Sequence, residues 1–243
     1  METQAQSLDF STTEQYTNNF YLSYMQPGSP TGTVAVNTTS GRLVHNASGG
    51  STGAWIYDTA PSLEPSNTFS NFTLDMDFSV AGSSGSVGVF FGGSSRTSSA
   101  LALFNINNSG SNDQLRLFSL GADMTSAGVG SGNTAYSSVP SIAGYTSNNF
   151  YHLKLTVNYQ NSTDAMVTFT ISDPTTTLTS VSISGLVTGL NSSGEIGIRS
   201  YTGAAGSNNF DNFVISTVIP EPSTFALLGG LGALGFALSR RRR

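Results

Sequence analysis

Asn71-Phe72-Thr73-Leu74-Asp75-Met76-Asp77-Phe78-Ser79-Val80 is the stretch that decides the fold class. Phe72, Leu74, Met76 and Phe78 fall on one face, while Asn71, Thr73, Asp75 and Asp77 fall on the other, the period of two that a half-buried strand requires. The same alternation runs through Tyr151–Tyr159, where Leu153, Leu155 and Val157 oppose His152, Lys154, Thr156 and Asn158. It recurs in Ala165–Ser172 and Phe210–Ser216. Continuous apolar or small runs at Ser86–Phe91 and Ala100–Ile106 read as more central strands. Gly/Ser/Asn clusters at Ala47–Gly53, Gly82–Gly85, Gly92–Ser99, Asn107–Asn112, Ala127–Asn133 and Gly203–Asn209 read as the loops between them. No segment before Pro220 offers an amphipathic helix. The spacing predicts one all-β domain of about a dozen strands, without the fixed internal period of a propeller or solenoid.

The chain of 243 residues has no cysteine and only 9% charged residues, so no disulfide framework holds it. A domain of roughly 210 residues buries enough core to stand without one. The net charge of −5 includes four terminal arginines, so the rest of the chain carries −9. That balance argues against nucleic acid and anionic lipid as ligands of the domain surface. Low charge with many hydroxyls and amides suits a matrix of neutral sugars, and equally a quiet secreted scaffold.

Beyond the domain the composition changes abruptly. Val218-Ile219-Pro220-Glu221-Pro222-Ser223 leads into Phe225–Leu238, which has no charge, and Arg240, Arg241, Arg242 and Arg243 close the chain. Phe225–Leu238 has no polar face, so it needs lipid or a buried slot. As a helix of about 14 residues it spans about 21 Å, short of a hydrocarbon core of about 30 Å. Thr224 and Ser239 extend it, and bilayer thinning or the reach of the arginines absorbs the remaining mismatch. The arginine run favours the cytoplasmic side and places everything before Val218 outside the cytoplasm. Two prolines around Glu221 fix φ and forbid helix or ladder pairing, which keeps that peptide extended where a protease could grip it.

A Pro-Glu-Pro tripeptide, a short Gly/Ala/Leu-rich span and a terminal arginine cluster together resemble the PEP-CTERM sorting signal. The resemblance implies recognition by an exosortase, an integral-membrane enzyme that cuts near the motif and passes the protein to the outer surface, mainly in Gram-negative bacteria that make extracellular polysaccharide. It makes Pro220, Glu221 and Pro222 the recognition element, residues 224–239 the transmembrane helix and Arg240–Arg243 the stop. An exported protein carries an N-terminal signal, yet Met1–Phe10 has neither a basic nor an apolar leader region. Thr3-Gln4-Ala5 has small residues where a signal peptidase reads, so residues 1–6 are expected to be the remnant of a longer leader.

Three further patterns carry a fold resemblance: Asn149–Val157, Gly194-Glu195-Ile196-Gly197-Ile198-Arg199-Ser200 and Asn209-Phe210-Asp211-Asn212-Phe213-Val214-Ile215. In that order they look like the late strands of concanavalin A-like or laminin G-like jelly rolls. The resemblance implies a jelly-roll β-sandwich over residues 7–217, with Leu8-Asp9-Phe10 pairing near the last strand. Residues 218–223 form the sorting motif and linker.

Lectins, adhesive modules and glycosidases share that fold, so function rests on the site. The Glu-x-Asp-x-x-Glu strand of retaining jelly-roll glycosidases is absent. Asp75 and Asp77 share a strand face and read as two solvated acids. His45 and His152, without cysteine, make a poor start for zinc, and His152 reads as a surface histidine. Calcium is the ion that Asn/Asp-rich loops would suit, with Asp211 and Asp113 the named carboxylates and the ligand set unassigned; no cofactor is expected. For sugar stacking, Trp55 and Tyr57 share a face of Trp55-Ile56-Tyr57: outward they form a platform, inward they are core. Tyr136, Tyr145 and Tyr201 are the other aromatics in polar surroundings.

The sequence therefore points to an exported, exosortase-sorted protein, anchored transiently in the inner membrane. Its expected job is non-catalytic contact with extracellular polysaccharide at the cell surface. A secreted polysaccharide-degrading glycoside hydrolase and a structural coat component are the alternatives. Acids converging on an aromatic-lined concave face would favour the enzyme. A flat face covered with Ser and Thr would favour the coat.

Overall fold

The computed structural model describes residues 2–25, 32–47, 50–57, 71–82, 85–93, 99–106, 114–122, 134–136, 148–173, 180–192, 194–203 and 205–219. The chain opens with β1 (Glu2–Leu8), α1 (Thr13–Thr17), β2 (Phe20–Met25), β3 (Thr33–Asn37), β4 (Arg42–Ala47) and β5 (Ser51–Tyr57). Next come β6 (Asn71–Ser79), β7 (Gly85–Gly93), β8 (Ser99–Ile106), β9 (Gln114–Ala122) and β10 (Thr134–Tyr136). The last five are β11 (Tyr151–Tyr159), β12 (Ala165–Ser172), β13 (Val181–Val187), β14 (Glu195–Thr202) and β15 (Gly206–Ile219). Among the described residues only the one-turn α1 interrupts the strands, so the all-β expectation holds. The sorting motif Pro220-Glu221-Pro222, the expected span and Arg240–Arg243 lie outside the described residues. Among the described residues no helix is long and apolar enough to cross a membrane.

Two sheets form the sandwich. The eight-stranded sheet runs β13-β12-β11-β6-β15-β4-β3, with β1 also paired to β15; the seven-stranded sheet runs β10-β9-β8-β7-β14-β5-β2. All of these pairings are antiparallel. The alternation read in the sequence determines which side of each strand is buried: Phe72, Leu74, Met76 and Phe78 of β6 and Leu153, Leu155 and Val157 of β11 point into the core. Across the gap they meet Phe91, Phe104, Leu115, Leu117, Ile196 and Ile198 of the other sheet. At one end Phe20 makes edge contacts with Tyr57 and Phe213, at ring separations of 5.4 and 5.2 Å. Burying a side chain of this size contributes about 1.5–3 kcal/mol, so the aliphatic and aromatic side chains between the sheets together contribute a large share of the stability.

Two expectations shift at the termini. The domain was expected to begin at Ser7, but β1 begins at Glu2, because β15 continues to Ile219 and pairs with it residue by residue from Glu2↔Ile219 to Leu8↔Phe213. Residues 2–6 therefore belong to the sheet, and so do Val218 and Ile219 at the head of the sorting segment. The predicted pairing of the first strand with the last is present, with Leu8 as its final residue.

Glycines expected in loops lie in strands for a steric reason. A Cβ on Gly53 would sit 2.6 Å from the Trp55 ring, so the buried indole needs a bare backbone beside it, and β5 starts at Ser51 instead of after Gly53. Gly197, expected in a strand from the Gly-x-Ile-Gly run, is tighter still: a Cβ there would lie 2.2 Å from the Trp55 carbonyl oxygen and 2.2 Å from Phe90 Cζ. Backbone cannot yield as a flexible side chain does. Gly197→Ala should therefore destabilise the domain by about 1–3 kcal/mol through strand separation, measured as a lower urea midpoint. An unchanged midpoint would contradict this packing.

Candidate functional site

The outer face of the eight-stranded sheet carries most of the polar groups that the sequence singled out. Cross-strand register places His152 of β11 opposite Asp77 of β6, and Lys154 opposite Asp75. His152 reaches both acids, with Nε2 3.1 Å from Asp75 Oδ1 and Nδ1 2.8 Å from Asp77 Oδ1. A neutral imidazole has one N–H, so bonding both carboxylates favours the doubly protonated ring. The Asp75 carboxylate, assisted by Asp77, raises the His152 pKa above its usual 6.5 despite partial burial. Lys154 Nζ lies 3.8 Å from Asp75 Oδ1. Asp75 and Asp77 are thus on the outer face as expected, but they are clamped by a histidine and not simply solvated.

The network continues into β15 where its register shifts between Asp211 and Val214. Asn212 adopts φ 48°, a left-handed conformation that asparagine tolerates better than most residues. That turn lets its Nδ2 donate to Asp77 Oδ2 at 2.8 Å. Asp211 accepts the Asn212 backbone N–H at 2.7 Å and faces Arg42 Nε at 3.9 Å. Burial pushes the Asp211 carboxyl above the usual carboxylate range. Arg42 also lies 4.2 Å over the Phe150 ring. Among the described residues no three His, Asp or Glu side chains converge as metal ligands. Asp211, named for calcium, is engaged with Arg42 and Asn212, and Asp113 lies outside the described residues.

Beside the charged cluster runs a row of hydroxyls. Ser216, Thr73, Thr156, Thr168 and Ser184 stand in register on five successive strands, β15, β6, β11, β12 and β13. Thr168 and Ser184 share a hydrogen bond of 2.9 Å, and Thr170 and Ser182 share one of 2.8 Å.

The candidate stacking residues are elsewhere. Trp55 and Tyr57 are 0% and 5% exposed and belong to the core, so the sugar platform they were considered for does not exist. Their face of β5 points between the sheets: Trp55 meets His45 at a ring separation of 5.4 Å, and Tyr57 packs on Phe213 at 5.3 Å. The side chains of Tyr136 and Tyr145 are outside the described set, and Tyr201 is half-buried on the outer side of β14. That outer side of the seven-stranded sheet is itself covered: Ala54, Phe90, Leu101, Leu103 and Phe118 form a second apolar cluster. Arg199 is fully buried there and donates to Ser86 Oγ at 2.7 Å.

Sequence reasoning missed one interior polar group. His45, Ser200 and Asn208 meet between the sheets: His45 Nδ1 lies 2.9 Å from Ser200 Oγ, which accepts Asn208 Nδ2 at 2.9 Å. Asn208 Oδ1 accepts the Ala81 backbone N–H at 3.1 Å. The visible signal was position: His45 shares the face of Leu43 and Ala47. Burial lowers its pKa from 6.5 to about 4.

The two histidines oppose one another in their effect on stability. His45 binds its proton more weakly folded than unfolded, so stability falls as pH drops below 6.5, by on the order of 3 kcal/mol at pH 4. His152 binds its proton more tightly folded, so its contribution is complete below 6.5 and is lost as pH rises through its folded pKa. Thermal melting across pH should show both limbs, and His152→Gln should abolish the alkaline limb alone. An alkaline limb that survives that substitution would contradict the clamp.

Comparison with known proteins matches the two halves of this description separately. Residues 218–243 match the PEP-CTERM protein-sorting motif, a signal of export and membrane-anchored processing. No curated protein matches the chain in sequence. Among solved structures, peanut lectin is similar at TM-score 0.56 and 12% identity, over 90% of this chain and 98% of the lectin. The PL-14 alginate lyase from Aplysia kurodai is similar at TM-score 0.52 and 13% identity, over 88% and 98%. Lectin I-B4 from Griffonia simplicifolia, in its metal-free form, is similar at TM-score 0.51 and 11% identity, over 88% and 100%. These likenesses establish a lectin-like, concanavalin A-like jelly-roll fold.

Proposed function

We propose that this chain is a surface or matrix protein of a Gram-negative bacterium, sorted by an exosortase-like membrane enzyme. Its sandwich serves as a non-catalytic module that contacts extracellular polysaccharide. The observation that carries the proposal is that a lectin-like sandwich runs straight into the sorting motif: β15 ends at Ile219 and Pro220-Glu221-Pro222 follows without a spacer. Pro220 has no backbone N–H with which to extend the ladder beyond Ile219.

The chemistry of contact is modest per group. Each hydroxyl of the Ser216–Ser184 row both donates and accepts, so it can exchange hydrogen bonds with sugar hydroxyls. A polymer that meets several such groups at once gains by multivalency what each lacks alone. The acids on this face support a binding role over a catalytic one, because His152, Asn212 and Arg42 already engage them. The fold also accommodates a glycan-cleaving enzyme, as the alginate lyase likeness illustrates. The Ser/Thr row favours a second reading, a structural coat component.

Retention of a chain ending at Ile219 on the producing organism's own extracellular polysaccharide, with calcium present, separates these readings. Saturable retention is expected, and it should weaken several-fold in the triple variant Thr73→Val, Thr156→Val and Thr168→Val, which keeps side-chain shape and removes hydroxyls. Absence of retention would leave the coat reading. For sorting, replacing Pro220, Glu221 and Pro222 by alanine should leave the full-length chain in the membrane fraction, whereas unchanged processing would refute recognition of the motif.

A further inference from the structure

Met166 and Leu186 are the two large hydrophobic side chains that stand exposed among the described residues, each at 42%. They are cross-strand partners on β12 and β13. Register carries their position back to the C-terminus. Met166 is opposite Asn158, Asn158 is opposite Asn71, and Asn71 precedes Phe72, which faces Thr217. The apolar pair therefore lies at the end of the eight-stranded sheet from which β15 exits, three and four strands to the side. At about 4.8 Å per strand that is a lateral offset of about 14–19 Å. Five residues, 220–224, separate Ile219 from Phe225, and the six steps between them reach about 20–22 Å at most when fully extended. An inserted C-terminal span thus holds this end of the domain against the bilayer, with the apolar pair at its outer corner.

We propose that the Met166–Leu186 corner is a lipid-contacting surface, seated in the bilayer interface while the C-terminal span is inserted. The inference rests on the reading of residues 224–239 as a membrane span. Two side chains free in solution would bind lipid negligibly, but a tether of this length makes the contact intramolecular, at an effective concentration in the millimolar range. Apolar area leaving water then orients the sandwich, with β12 and β13 towards the lipid and the Tyr151 end of β11 away from it. Asp164, in the adjoining 160–164 turn, has its carboxylate held by Asn161 Nδ2 at 2.8 Å. No lysine or arginine lies in residues 158–166 or 180–192, so the contact is apolar and does not depend on anionic lipid.

The chain has no cysteine, so Met166→Cys, Leu186→Cys and Ser180→Cys each accept a single environment-sensitive fluorophore. Ser180 is exposed at the opposite end of β13. The full chain is reconstituted into vesicles of phosphatidylethanolamine and phosphatidylglycerol with headgroup-level nitroxide lipid as quencher. Resistance to alkaline extraction reports the span independently. The proposal predicts extraction-resistant protein with several-fold stronger quenching at 166 and 186 than at 180. Extraction-resistant protein with equal quenching at the three sites would overturn the contact and leave the span intact. Protein released by alkali would overturn the span and the contact with it.

Discussion

The eight-stranded sheet depends on the pairing of one strand. β15 is 14 residues long, about 45 Å when extended, and it is bordered by β6 on one side and by β4 and then β1 on the other. Residues 206–210 hold β4 and residues 213–219 hold β1. Between them the ladder breaks; Asn212, at φ 48°, lies in the break, and Phe10, at φ 49°, lies two residues beyond the end of β1. The break turns Asn212 towards Asp77 and leaves Asp211 facing Arg42. The charged cluster on the outer face thus follows from how three strands share one partner.

The same strand couples fold to destination. Its last residues, Val218 and Ile219, are part of both the sheet and the segment that matches the sorting motif. Closing the sandwich requires β1 to find β15 from the far end of the sequence, a contact of long loop-closure entropy that forms late if local hairpins form first.

Much of this was legible in the sequence where one residue decides one thing. Alternation in β6, β11 and β12 gave inward and outward faces correctly, because a period of two is a property of the strand alone. Apolar runs in β7 and β8 marked strands covered on both sides, and the composition of the last residues marked the sorting segment. Register was beyond reach. Nothing near Asp75 and Asp77 in sequence announces His152, which is brought beside them by a pairing across 75 residues. Trp55 and Tyr57 showed the same limit in reverse: their shared face was readable, but whether it pointed inward depended on Gly53 leaving room for the indole and on Phe213 arriving from β15. Glycine looks like loop in a sequence, yet here it marks strands pressed closest to their neighbours.

The central claim is that a folded lectin-like domain is cut from its C-terminal span and delivered outside the cell. Intact-mass analysis of the protein recovered from the cell surface and the surrounding matrix tests it most directly, because the mass fixes the C-terminal residue. The account predicts a chain that ends near Pro220-Glu221-Pro222 and lacks both Phe225–Leu238 and the four arginines. Surface protein that retains Arg240–Arg243 would contradict it.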